Sequence, residues 1–169
     1  MRLKLEDNFL PIHSKDITTF EQQIGYTLPD EYRQFLLKTN GGRPHCDLIK
    51  TPDGELFYAA FFMGLAPEQT VLYNLPTEID ESFIGPAWFL PIAVCEHGSN
   101  LYLCLSLKQD ESFGQIYSWD EELAYHYSME GYSDAEFKTL LTEIHFASRF
   151  SPLLEWGSWK WLRDFDEKL

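Results

Sequence analysis

A chain of 169 residues suits a single domain, 1–169, that buries roughly 70% of the surface its unfolded form would expose. Its 44% hydrophobic and 16% aromatic content excludes intrinsic disorder. The net charge of −14 excludes nucleic acid and anionic membrane surfaces as natural direct partners, because phosphate contacts need Lys and Arg.

The N-terminal stretch from Met1 to His13 lacks the uninterrupted apolar core of a secretory signal, and the apolar run from Phe57 to Ala66 is far too short to cross a bilayer. A cytoplasmic location is expected. Cys46, Cys95 and Cys104 form no CxxC pair and no disulfide framework, which suits a reducing compartment. Leu3 and Leu5 alternate, and Phe9, Leu10 and Ile12 follow as an ordered lead-in.

Ile17, Phe20 and Ile24 recur at helical spacing, with Asp16 as candidate N-cap and Gly25 where a C-terminal residue takes positive φ. A second helix opens with Pro29 at its first position, carries Tyr32, Phe35, Leu36 and Thr39 on one face, and stops at Asn40-Gly41-Gly42. Asp30 and Glu31 suit the positive end of its dipole. Two helices this short need a partner surface.

Past Pro44, Asp47 to Lys50 and Glu55 to Met63 read as two strands joined by Thr51-Pro52-Asp53-Gly54. Residues 64–85 are irregular and contain the acidic group Glu78, Asp80 and Glu81. Trp88 to Val94, Asn100 to Leu107 and Gln115 to Trp119 read as three successive antiparallel strands. In the middle strand Leu101, Leu103, Leu105 and Leu107 share the face expected to lie on the helices, while Tyr102, Cys104 and Ser106 share the other. Ser133-Asp134-Ala135-Glu136 fits a capping box for a helix carrying Phe137, Leu140, Leu141 and Ile144. Ser151-Pro152 opens an expected final helix through Phe165, weakened by Gly157. The fold class is therefore α+β: an N-terminal helical pair, a mostly antiparallel twisted sheet of about five or six strands, and C-terminal helices.

Phe20-Glu21, Ile24-Gly25, Leu28-Pro29, Tyr32, Phe35-Leu36 and Asn40-Gly41-Gly42 resemble the opening signature of the SUKH (Smi/Knr-like) superfamily. A second match follows in the right order: Leu90-Pro91-Ile92-Ala93, a Gly-containing turn, the leucine strand, and Gly114 leading into Ile116-Tyr117-Ser118-Trp119-Asp120-Glu121. Gly98-Ser99-Asn100 stands where many members carry a Gly-Asp turn, which removes support for a ligand role there. The resemblance spans about Phe9 to Ile144 and leaves a Trp-rich extension, 150–169, outside it. The superfamily groups immunity proteins of bacterial polymorphic toxin systems with fungal cell-wall regulators. It therefore implies a non-catalytic immunity protein bound to a cognate toxin domain or, alternatively, an intracellular regulatory or scaffold module.

Candidate chemistry in the residues is sparse. His45-Cys46-Asp47 and Cys95-Glu96-His97 lack paired zinc-ligand spacing, and Cys46 beside His45 has no accompanying nucleophile motif. No metal, cofactor or enzymatic activity is expected. His126 and His145 read as packing or surface residues, and at least one of Trp156, Trp159 and Trp161 must face away from the other two along a helix.

The charge is segregated. Between Thr51 and Phe137 fifteen acidic side chains stand against Lys108 alone, so this stretch carries −14, while twelve acids and twelve bases elsewhere cancel. A basic protein partner is its natural complement, and a nuclease-type toxin must carry a basic groove. Candidate contact residues are Glu121, Glu122 and Glu130, the tyrosines Tyr125, Tyr127 and Tyr132, and the acids Asp110, Glu111, Asp80 and Glu81. Asp120 reads as a cap. The motif residues Phe20, Gly25, Leu28, Pro29, Tyr32, Phe35, Leu36, Asn40, Gly41, Gly42 and Trp119 read as scaffold.

Overall fold

The computed structural model of the protein describes residues 5–44, 48–50, 56–66, 74–76, 88–95, 101–120, 148–149 and 157–159. The chain opens with strand β1 (Leu5–Glu6) and helices α1 (Ser14–Ile24) and α2 (Asp30–Thr39). Strands β2 (Arg43–Pro44), β3 (Leu48–Lys50), β4 (Leu56–Tyr58) and β5 (Phe61–Phe62) follow, then β6 (Phe89–Val94), β7 (Leu101–Ser106) and β8 (Gln115–Asp120). Two short strands, β9 (Ser148–Arg149) and β10 (Gly157–Trp159), lie beyond them. The strands form three sheets: β1-β2, β10-β3-β4, and the five-stranded β5-β6-β7-β8-β9. The ladders between these described strands are antiparallel, and an isolated parallel bridge joins Gly64 and Asn74. The architecture is α+β.

Helix α1 begins earlier than its apolar periodicity suggests. Asp16 is its third residue, and the Asp16 carboxylate accepts the backbone N–H of His13 at 2.8 Å, so the acid caps from inside the first turn instead of preceding it. The far end stops at Gly25, where φ is +74°. Pro29 likewise stands one place outside α2, with an extended ψ of 142°, and its carbonyl accepts the N–H groups of Tyr32 and Arg33 at 3.0 Å. Between the helices, Glu21 ties the joint: its carboxylate accepts the Leu28 N–H at 2.8 Å and the Arg33 guanidinium. That single side chain sets how α2 leaves α1.

Ile17, Phe20 and Ile24 of α1 and Tyr32, Phe35 and Leu36 of α2 are buried in one cluster with Leu90, Ile92, Leu103, Leu105, Leu107 and Ile116 of the sheet and its exits. The rings of Phe35 and Phe62 meet edge-on at 6.0 Å, joining helix to sheet. Leu103, Leu105 and Leu107 thus lie on the helices, as their alternation predicts. The opposite face is buried too, around Phe89, Cys104, Tyr117 and Trp119. Phe89 meets Trp119 nearly perpendicular at 5.2 Å and Tyr117 at 4.9 Å. Pro91 sits inside β6, an interior strand, where its missing N–H would break a regular ladder; the register shifts between Pro91 and Ala93, a bulge that accommodates it.

The β3–β4 hairpin forms where Pro-Asp-Gly predicts it, but the second strand ends at Tyr58. After Ala59 and Ala60 the chain joins the five-stranded sheet as β5. The helix expected over Ser133 to Ile144 lies outside the described residues. The final helix expected from Ser151 to Phe165 is corrected at Gly157-Ser158-Trp159, which pair with β3 as a strand. Glycine inside a helix costs about 1 kcal/mol relative to alanine, and the outer edge of β3 supplies the backbone partners the residues need.

Asn40 ends α2 in the left-handed region, φ +47°, and is buried. Its amide nitrogen donates to the carbonyls of Leu10 at 2.8 Å and Leu65 at 2.9 Å, and its amide oxygen accepts the Leu65 N–H at 2.8 Å. One side chain thereby joins the lead-in, the helix end and the exit of β5. Asn40→Gly keeps the backbone conformation and removes all three bonds, freeing the Leu10 carbonyl and both part-buried backbone groups of Leu65 at about 1–3 kcal/mol each where water does not replace the amide. Urea denaturation is expected to show a loss of about 2–4 kcal/mol with unchanged m-value, given partial rescue by water. A loss under about 1 kcal/mol would mean the clamp does not hold these segments.

Candidate functional site

Among the candidate contact residues the structure describes Asp110 and Glu111, both exposed in the loop between β7 and β8. Asp80, Glu81, Glu121, Glu122, Tyr125, Tyr127, Glu130 and Tyr132 lie outside the described residues. The loop is built around Ser112. The Asp110 carboxylate accepts the Ser112 N–H at 2.8 Å and the Ser112 hydroxyl at 2.6 Å, and the Ser112 and Ser106 hydroxyls lie 2.9 Å apart. Lys108 pairs with Asp110 at 3.0 Å while its ammonium sits 5.4 Å from the centre of the Trp88 ring. The turn closes at Gly114, whose φ is +77° and whose N–H reaches the Ser106 carbonyl at 2.9 Å.

A side chain at Gly114 would approach Pro29 to 3.3 Å, so the end of the loop lies against the start of α2. Asp30 and Glu31, in that first turn, are exposed. Read in sequence these two acids serve the helix dipole; the fold also sets them next to the base of the loop, which no spacing in the chain reveals.

The electrostatics follow from these contacts. Hydrogen bonds from the Ser112 hydroxyl and N–H, joined by Lys108, hold the Asp110 carboxyl down at about 2, from the ordinary 3.8. The Tyr117 phenol beneath the loop is pushed up, first by burial and then by the nearby charges of Asp110 and Glu111, against a lowering hydrogen bond with Ser112. Asp110 is thus already engaged in shaping the loop, while Glu111 carries outward charge.

The motif residues form no reactive constellation. Phe20, Leu28, Tyr32, Phe35, Leu36 and Trp119 are core side chains, and Asn40 is the clamp. Gly41 and Gly42 permit contact between backbones: a Cβ on Gly41 would come within 2.7 Å of the Phe62 carbonyl oxygen, and one on Gly42 within 2.8 Å of the Glu6 carbonyl oxygen. Burial raises the Tyr32 phenol far above its ordinary value. The Cys95 thiol is pushed up to about 12 by burial and Cys104 is also buried, so both are poorly suited to thiolate chemistry. Cys46, His45, Glu96, His97, His126 and His145 lie outside the described residues, and among those described no group of three or more His, Cys, Asp and Glu is placed to hold a metal. No helix among the described residues is long and apolar enough to cross a membrane.

The depressed Asp110 value fixes a sign. Its contribution to the loop is complete above the unfolded value of 3.8 and is lost as pH falls through about 2. An NMR titration of the Asp110 carboxyl carbon should give a midpoint near 2, with the Ser112 amide resonance following it; Asp110→Asn should abolish that step. A midpoint near 3.8 would mean that the Ser112 contacts do not persist in solution.

Searches of curated proteins and of solved structures each return no significant match. The model of the SMI1/KNR4 family (SUKH-1) matches residues 11–141, from the lead-in through α1, α2 and the strands to β8 and beyond. That span holds the Glu21 joint, the Asn40 clamp, the bulged β6 and the leucine strand, and the chain belongs to the SMI1/KNR4 family (SUKH-1).

Proposed function

We propose that the protein is a cytoplasmic, non-catalytic immunity protein that binds a cognate toxin domain and blocks it stoichiometrically. Family membership supports a protein-interaction module. The observation that carries the finer reading is charge segregation: the stretch from Thr51 to Phe137 holds the whole net charge of −14. Acidic side chains in such excess repel phosphate and attract a basic protein with fast, steered association. A nuclease-type toxin suits it, since the basic groove that holds nucleic acid is what an acidic inhibitor would cover. The contact surface we assign comprises Glu111 with the acidic and tyrosine-bearing stretch that includes Glu121, Glu122, Tyr125, Tyr127, Glu130 and Tyr132. Tyrosine adds rigid contact area with a polar tip, and the acids set register.

The reading expects a toxin domain in a neighbouring reading frame, and calorimetric titration with that domain is expected to give nanomolar binding at 1:1 that weakens as salt rises. Replacing Glu121, Glu122 and Glu130 together by Gln should slow association and weaken binding roughly tenfold or more, about 1.4 kcal/mol. Salt-independent binding, or unchanged affinity in the triple variant, would reject the acidic surface as the contact. Replacing all three cysteines should leave neutralisation intact; its loss with the fold preserved would point to thiol chemistry.

A further inference from the structure

Beyond the family-matched span 11–141 the chain contributes two edge strands to two different sheets. Strand β9 pairs with β8 through Arg149 and Gln115, at the outer edge of the five-stranded sheet. Strand β10 pairs with β3, with Gly157 opposite Lys50, Ser158 opposite Ile49 and Trp159 opposite Leu48. Without β10, the sheet it joins is the β3–β4 hairpin alone, three residues on each strand. An isolated two-stranded hairpin is marginal in water, and its free edge is a template for another chain.

We infer that Gly157–Trp159 is an intramolecular clip that keeps the β3–β4 hairpin ordered and occupies the edge at which a foreign strand would add. Gly157, which pairs with β3, follows Arg149, which pairs with β8, by only eight positions, so neighbouring residues of one segment occupy the outer edges of both sheets. The hairpin is anchored at its other side through Ala59 and Ala60, where the Ala60 N–H bonds the Val94 carbonyl at 2.8 Å. Among the described residues it thus has two attachments, one within the family-matched span and one at Gly157–Trp159. A partner that adds its own strand to β3 must first displace the clip.

Alternate N–H groups of an edge strand point at its neighbour, so neighbouring prolines in the full chain separate a ladder from mere packing. Of Gly157→Pro and Ser158→Pro, one removes a hydrogen bond to β3 and the other places its ring on the outward side. Hydrogen exchange read by mass spectrometry should show protection across residues 48–58 falling at least tenfold in one variant and clearly less in the other, with α1, α2 and β6–β8 unchanged in both. Equal effects of the two prolines, unchanged protection in both, or loss of protection throughout the molecule would each overturn the clip.

Discussion

The side-chain amide of Asn40 is the constraint on which the surrounding architecture depends. A helix end leaves carbonyls without partners, and a chain that must reverse there needs a left-handed residue. Glycine alone would satisfy the dihedral. Asparagine also brings two donors and an acceptor, and in this fold each reaches a different part of the chain: the lead-in at Leu10 and both backbone groups of Leu65. Gly41 and Gly42 then let β2, β5 and the lead-in approach at backbone distance, with the Gly42 and Phe62 N–H groups exchanging bonds at 2.9 Å. A side chain at any of these glycines would wedge the layers apart. The Asn-Gly-Gly stop is therefore a packing device as much as a helix terminator.

From that anchor the rest is assembled by burial on two faces. The helices cover one face of the five-stranded sheet, and an aromatic cluster fills the other. Because β6 must carry residues to both faces while holding a proline, the bulge at Pro91 to Ala93 is a condition of the arrangement. Glu111, by contrast, is exposed in the loop between β7 and β8, clear of these packing demands.

Local chemistry made much of the fold legible. Ile17, Phe20 and Ile24 named the buried face of α1, Gly25 its end, and the alternating leucines of β7 the face that meets the helices. What local pattern concealed was reach. Glu21 is a solvent-facing helix residue by periodicity, yet it binds the Leu28 N–H and the Arg33 guanidinium. Asp16 and Pro29 were recognisable as helix-start residues, but their exact places depend on capping geometry that shifts by one or two positions without changing the pattern. Gly157–Trp159 departed furthest: a tryptophan-rich run reads as helical until a distant edge strand offers it hydrogen bonds, a tertiary term that no propensity contains. For the candidate surface, the acids were visible as composition, whereas the use of Asp110 to order its own loop through Ser112 was not.

The two-faced sheet has a chemical consequence for the thiols it carries. Cys95 packs in the cluster on the helix side and Cys104 in the cluster on the other, and the two are not bonded to each other. A disulfide needs Cβ atoms roughly 3.5–4.5 Å apart and directed at one another. With a layer of backbone between them, these sulfurs are insulated from each other as well as from solvent. Cross-linking Cys95 to Cys104 therefore requires the sheet between them to open, so this pair forms no disulfide in the folded chain.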